Sequence, residues 1–536
     1  MNEHLFSKGI DVMSPSCLAR TGTLLILAIG CALPAVAADW PLWGADTTRN
    51  MASPATHVPD WFDPGEFIKG SEEIDLSTTK NIKWVAKLGS QAFGNPTVAG
   101  GKVFIGTNNE SPRDPRHKGD RGVIMCFEEA TGKYLWQLVV PKLGAGKVSD
   151  WEFLGICSSP AVDGDRLYLV TNRCEAMCLD VQGMANGNDG PFQDEGKYMT
   201  PPPAAGAPPP TPIEAGPADA DIIWRFDMRE EMGVFPHNIT SSSILIVGDR
   251  LYVTTSNGQD WSHVNIPAPF APALICLDKN TGELLGEENS GISQRMLHCN
   301  WSSPCYGEAN GKGMVFFGAG DGFCYAFDPV PAASEDGFNY LKEIWRFDCN
   351  PPEHRTKEDG KPFKYPDPNG PSEVIATPVF HNNKIYIAVG QDPEHGDGVG
   401  QLSCIDATGS GDLSKTGKVW ADGTIRRTMS TASIADGLLY IADYAGKVHC
   451  LEADTGKEIW VHDTQSHIWG STLYVDGKIY IGNEDGVVTI LAAGREKKVL
   501  KEIEVDSPVY STPIVANGIL YIASQTHLYA IHNSGN

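Results

Sequence analysis

The residues of this chain best suited to chemistry are histidines set just ahead of short strand-like runs. His237, His298 and His467 stand in such places, and His395 lies in the loop "GQDPEHGDG". Neutral imidazoles gathered around one opening can bind a transition metal. The plainer reading is four separate polar loop residues, since His467 belongs to a repeat roughly across the ring from those of His237 and His298. Asp392, Glu394 and Asp397 could offer oxygens to Ca2+ or simply form a solvated acidic turn. Arg426 and Arg427 could grip a carboxylate or make structural pairs. The stretch "CEAMC" at 174–178 has no second Cys or His pair at zinc-site spacing, and the chain has no Cys-x-x-Cys-His haem segment and no Gly-rich phosphate loop.

A unit that recurs along the chain must position these residues. Its clearest copy, "STASIADGLLYIADYAGKVHCLEADTGKEIWVHD" at 430–463, reads as four short antiparallel strands joined by an Asp-Gly turn, a Gly turn and a Thr-Gly turn, the last strand carrying a Trp. Eight copies start at Gly94, Ser158, Thr240, Ser302, Ala376, Ser430, Gly470 and Ser511. The eighth lacks its Trp strand, whereas "NIKWVAKLG" at 81–89 is a Trp strand with no blade before it. Pairing the two removes two exposed sheet edges, so the repeat predicts an all-β, eight-bladed β-propeller over 81–536 closed by an N-terminal strand. In such blades the second-to-third turns lie at the same end as the crossovers between blades. That face carries the irregular loops, including "SNGQDWSHVNIPAPFAP", and function should sit there near the central funnel. Trp84, Trp136, Trp224, Trp345, Trp420 and Trp460 hold one repeat position and should pack between blades. Trp301 and Trp469 sit at strand entrances, where a ligand-facing role is open.

Residues 1–38 read as a signal peptide: Arg20 precedes "LLILAIGCALPAVA", and small residues follow before Asp39. The apolar run is too short for a stable span, so the chain is expected to be exported, periplasmic or secreted, and not transmembrane. Cys31 fits a lipid-attachment site poorly. Residues 39–80 should be an irregular wrap, and 191–221 a Pro-rich insertion containing "PPPAAGAPPPTP". With 42 basic against 67 acidic residues, nucleic acid is excluded as a partner. Cys126, Cys178, Cys276, Cys324, Cys404 and Cys450 recur at one repeat position and should be small buried hydrophobes. Pairing among Cys157, Cys174, Cys299, Cys305 and Cys349 is open.

From "DWPLWGADTTRN" onward the repeat resembles the pyrroloquinoline-quinone (PQQ)-like propeller repeat. That group includes the quinoprotein alcohol dehydrogenases, which use the quinone and calcium, and a quinone-free outer-membrane assembly lipoprotein. The resemblance to the dehydrogenases implies a calcium-holding Asn in the stretch "TTSNGQDW", which places Asn257 and Trp261 at matching positions, with Glu175 as a second metal ligand and Trp301 beside the quinone. It also implies a general-base Asp after an Asn-Trp pair, but here Asn300 and Trp301 are followed by Ser302, Ser303 and Pro304. The floor Trp is missing from "FPHNITSSS", and no adjacent cysteine pair exists. An inherited turn, in which Gly258 supplies positive φ and Asn257 bonds nearby backbone, explains "SNG" without a cofactor. The expected function is therefore a non-catalytic, monomeric binding or scaffold module for a protein, peptide or glycan, with no cofactor. The alternative is a PQQ- and calcium-dependent dehydrogenase of an alcohol or sugar, whose base comes from elsewhere, such as Asp260 or Asp443.

Overall fold

The Trp-bearing strand Ile82–Lys87 pairs antiparallel with His527–Ile531, the last strand of the chain. It thereby supplies the fourth strand that the eighth repeat lacks. The computed structural model describes residues 38–203 and 206–533, so the expected export signal, with Cys31, lies outside the described residues except for its last residue, Ala38. Eight sheets follow one another, each built on four antiparallel strands that run from an innermost strand outward. The innermost strands are Thr97–Ala99, Ala161–Asp163, Leu245–Val247, Cys305–Ala309, Val379–His381, Ser433–Ala435, Leu473–Val475 and Ile514–Ala516. We number the blades 1 to 8 in that order; the fold is the eight-bladed β-propeller that the repeat predicts.

The repeat Trp side chains lie at the blade interfaces. Each indole N–H donates to a backbone carbonyl at the last turn of the next blade: Trp84 to Glu129 and Trp136 to Val181, then Trp224 to Lys279, Trp345 to Ala407, Trp420 to Ala453 and Trp460 to Gly494. A buried indole nitrogen needs such an acceptor, and the carbonyl fixes each blade against its neighbour. The Thr-Gly turn makes room for the ring. Gly456 has φ 71°, and a Cβ there would stand 2.5 Å from Trp420 Cε3. Gly456→Ala should therefore lose about 2 to 3 kcal/mol in urea unfolding, from left-handed strain plus the clash. Gly437→Ala, with φ 75° and open space, should lose only about 1 kcal/mol. Equal losses in the two variants would refute the packing role of Trp420.

All eleven described cysteines are free. The six repeat cysteines are buried among apolar side chains, and four lie opposite a strand-two Tyr, as with Cys276 and Tyr252.

Residues 38–53 thread the central channel along the free edges of the innermost strands. Asn517 N–H donates to Ala38 O in blade 8, Trp40 and Val98 exchange two bonds in blade 1, and Val162 N–H donates to Pro41 O in blade 2. Arg49 reaches blades 3 and 4, while Tyr306 and Phe380 donate to Thr47 and Thr48. Met51 N–H donates to Ala432 O in blade 6, and Ala52–Ser53 pairs parallel with Leu473–Val475 in blade 7. The segment thus satisfies inner-edge groups that a propeller otherwise leaves to water. Among the described residues no helix is long and apolar enough to cross a membrane.

Candidate functional site

The loop holding Asn257 is stitched between the lead-in segments of blades 3 and 4. Gly258 N–H donates to Phe235 O at 2.9 Å, Gln259 N–H to His298 O at 2.9 Å, and Asn300 N–H to Asn257 O at 3.2 Å. The Asn257 side chain completes the seam: Oδ1 accepts from Phe235 N–H at 3.0 Å, and Nδ2 donates to Ala268 O and Ser293 Oγ at 2.9 and 3.0 Å. The positive φ expected of Gly258 sits instead on Ser256, at 55°. Gly258 is needed for close approach, because a Cβ there would lie 2.4 Å from His237 Cβ.

This seam brings histidines together. His237 Nε2 and His298 Nε2 stand 2.8 Å apart, and the His263 ring packs 5.3 Å from His237 and 4.9 Å from His298. His395 adds a fourth ring, 5.2 Å from His298 and 5.5 Å from His263. His237 Nδ1 faces Gln259 O at 2.5 Å, and His298 Nδ1 faces Glu373 Oε1 at 3.4 Å. The Tyr365 hydroxyl also donates to Glu373 Oε1, at 3.0 Å. Burial dominates the electrostatics: it pushes His237 and His298 down to about 3, lowers His395 and raises the Glu373 carboxyl to about 7. His237, His298 and His395 are therefore neutral at neutral pH.

Two crossover histidines and two from second-to-third loops meet, as the strand alternation requires of residues sharing one face. His263 is the member that sequence reading passed over, although it lies within "SNGQDWSHVN" and obeys the topological rule that placed His395. His467 does not join them. It stacks on Tyr444 at 4.4 Å and faces Glu484 at 3.2 Å.

Trp301 separates the histidines from an adjoining cavity of about 280 Å3. Its indole N–H donates to Ile239 O at 3.1 Å and lies 3.3 Å from His237 O. Phe93, Trp469 and Tyr510 form an aromatic cluster in the same lining, with ring centres 4.6 to 5.9 Å apart. Among the described residues the buried Trp469 indole N–H has no acceptor. Asp392 and Glu394 also line the cavity, and among the described residues neither has a cationic partner. Asp392 accepts from Asn238 Nδ2 at 3.0 Å and caps the short 3-10 turn Pro393–His395.

Other sequence candidates have structural employment. Arg427 donates to carbonyls of Asp367, His395 and Gly396, and Arg426 lies 3.8 Å from Asp397. Asp260 closes its own loop through Ser262 and Asn265, and buried Asp443 faces His449 at 3.3 Å. Trp261 is 57% exposed on the loop crest, away from the cavity lining. Glu175 is fully buried in blade 2, where Oε1 accepts from Arg225 at 2.7 Å and Oε2 from Thr171 and Tyr198 at 3.0 and 2.5 Å. The oxygens of Glu175 and Asn257 are already taken up by protein donors. As placed, they do not fit the calcium that the dehydrogenase resemblance assigns to them.

The model of the family described as outer membrane protein assembly factor BamB matches residues 72–183 and 342–496. BamB from Moraxella catarrhalis superposes with a TM-score of 0.50 at 13% identity, covering 85% of this chain and 98% of that one. The quinohemoprotein alcohol dehydrogenase from Comamonas testosteroni gives 0.44 at 13% identity, covering 92% of this chain and 80% of that one. No curated protein matches in sequence.

Proposed function

We propose that this chain, a PQQ-like β-propeller repeat protein, works as an exported, non-catalytic binding module that takes a cationic protein or peptide segment into the mouth of its loop-face funnel. The observation that carries this reading is the cavity lining, in which an aromatic cluster meets the carboxylates of Asp392 and Glu394, neither with a cationic partner among the described residues. A guanidinium or ammonium group gains from both, since ring faces attract cations and a carboxylate not already paired with a cation favours one. The excess of 67 acidic over 42 basic residues draws such a ligand from a distance. The description of the matched family as an outer membrane assembly factor, with the apolar run ahead of Ala37, supports a place in the envelope or beyond. Binding is favoured over turnover because Ser302, next to Trp301, spends its hydroxyl on Ala376 O at 2.8 Å.

Tryptophan fluorescence of the full chain, titrated with tri-arginine and tri-lysine against tri-glutamate, should show saturable quenching by the basic peptides alone. Trp469→Ala should weaken that binding about 10-fold, the worth of a partly desolvated cation–π contact. Saturable quenching by pyrroloquinoline quinone that requires Ca2+, with no response to basic peptides, would replace this reading with that of a quinoprotein dehydrogenase.

A further inference from the structure

We propose that His237, His263 and His298 form a binding site for one divalent transition-metal ion of the zinc and copper class. One ligand nitrogen from each residue lies within 4.8 Å of the other two. Three imidazole nitrogens suit a borderline first-row metal and leave a further coordination position open.

The surroundings are those of a metal site. Gln259 O can only accept, so His237 Nδ1 carries the hydrogen and Nε2 presents its lone pair. Glu373 stands at His298 Nδ1 in the same relation, and its second oxygen is buried without a protein partner. A carbonyl behind one histidine and a carboxylate behind another are the outer partners that orient imidazole ligands. With both Nδ1 atoms donating outward, two Nε2 lone pairs face each other at 2.8 Å, a repulsive arrangement that a shared cation relieves. Bonds of metal–nitrogen length would spread that pair to roughly 3.3 Å in a tetrahedral site. Two of the ligands sit on backbone locked by the Asn257 seam, where Gly258 admits His237. The third, His263, is half-buried and held at φ 54° in the loop above them. The competing arrangement is a metal-free pair, with one proton shared between the two Nε2 atoms.

The test is a titration of the untagged full chain, stripped with chelator, with Co2+. The expected result is a visible band of nitrogen-coordinated Co2+ that saturates at one ion per chain and bleaches on adding Zn2+. His263→Gln, a loop change that should spare the fold, and His298→Gln should each abolish it. Glu373→Gln should weaken binding about 10- to 100-fold, and His467→Gln, on the same face but outside the cluster, should leave it unchanged. A flat titration of folded wild-type chain would overturn the proposal, as would a full band in the His263→Gln, His298→Gln double variant. An imidazole proton coupled to both rings in NMR and persisting under excess Zn2+ would assign the cluster to the shared-proton pair instead. None of these readouts involves the peptide cavity beyond Trp301.

Discussion

Replacing Arg49 with alanine is expected to destabilise the propeller by about 3 to 5 kcal/mol, a large part of the 5 to 15 that typically separates folded from unfolded chains. The side chain is fully buried and reaches four carbonyls: Trp43 O at 2.6 Å, Pro304 O at 3.0 Å, and Ser243 and Ile244 O at 3.2 and 3.1 Å. It fastens the channel segment to blades 3 and 4 at once. Burial lowers the guanidinium to about 10, so it stays charged at neutral pH while paying for desolvation. That cost is relieved in Arg49→Ala, which is why the expected loss is smaller than four abandoned acceptors plus a side-chain cavity would suggest. Arg49→Lys keeps the charge but cannot fork to all four oxygens and should lose about half as much. Urea unfolding gives the energies, and hydrogen exchange at Tyr306 and Phe380, which donate to Thr47 and Thr48, reports whether the segment itself lifts. Unchanged protection at those amides in a destabilised variant would refute the fastening role.

Arg49 also marks where sequence reading ran out. The blades were legible because each repeats the same alternation, turn and Trp, and the closure followed from one strand missing at one end and one to spare at the other. Residues 38–53 have no such period. Successive stretches of the segment contact different blades, so their hydrogen bonds exist only after the ring has formed, and a lone Arg in irregular sequence gives no sign of a buried hub. The site divides the same way. Strand alternation is local, and it assigns His237, His298 and His395 to one face. Which of those loops fold inward depends on lengths and on contacts such as Gly258 against His237, so His263 went unnoticed and His467 stayed apart. The resemblance-derived residues fared differently because a motif specifies side chains without their partners. Asn257 keeps its place in the seam while its oxygen serves Phe235.

The ring closure itself should fail first in acid. The side chain of Asp506, on the crossover from blade 7 to blade 8, is almost wholly buried and faces Nδ1 of His527 at 2.8 Å, on the last strand, which pairs with the closing strand. It also accepts from Tyr529 OH at 2.8 Å and from Thr526 Oγ1. Burial alone would raise this carboxyl, but the hydrogen bonds from His527, Thr526 and Ser524 outweigh it and hold the group well below the ordinary carboxylate range. A carboxyl whose folded pKa lies below its unfolded value of about 3.9 stabilises the fold fully above that value. The contribution is lost as pH falls through the folded pKa, so the wild type should weaken progressively below about pH 4. Asp506→Asn removes the anion at every pH and leaves His527, whose other nitrogen faces Glu72 O at 3.0 Å, without its charged partner. The variant should be about 3 kcal/mol less stable at pH 7, and that gap should narrow towards pH 3. Urea unfolding at the two pH values measures both, and a gap that stays constant would mean that the bonds rather than the charge of Asp506 close the ring.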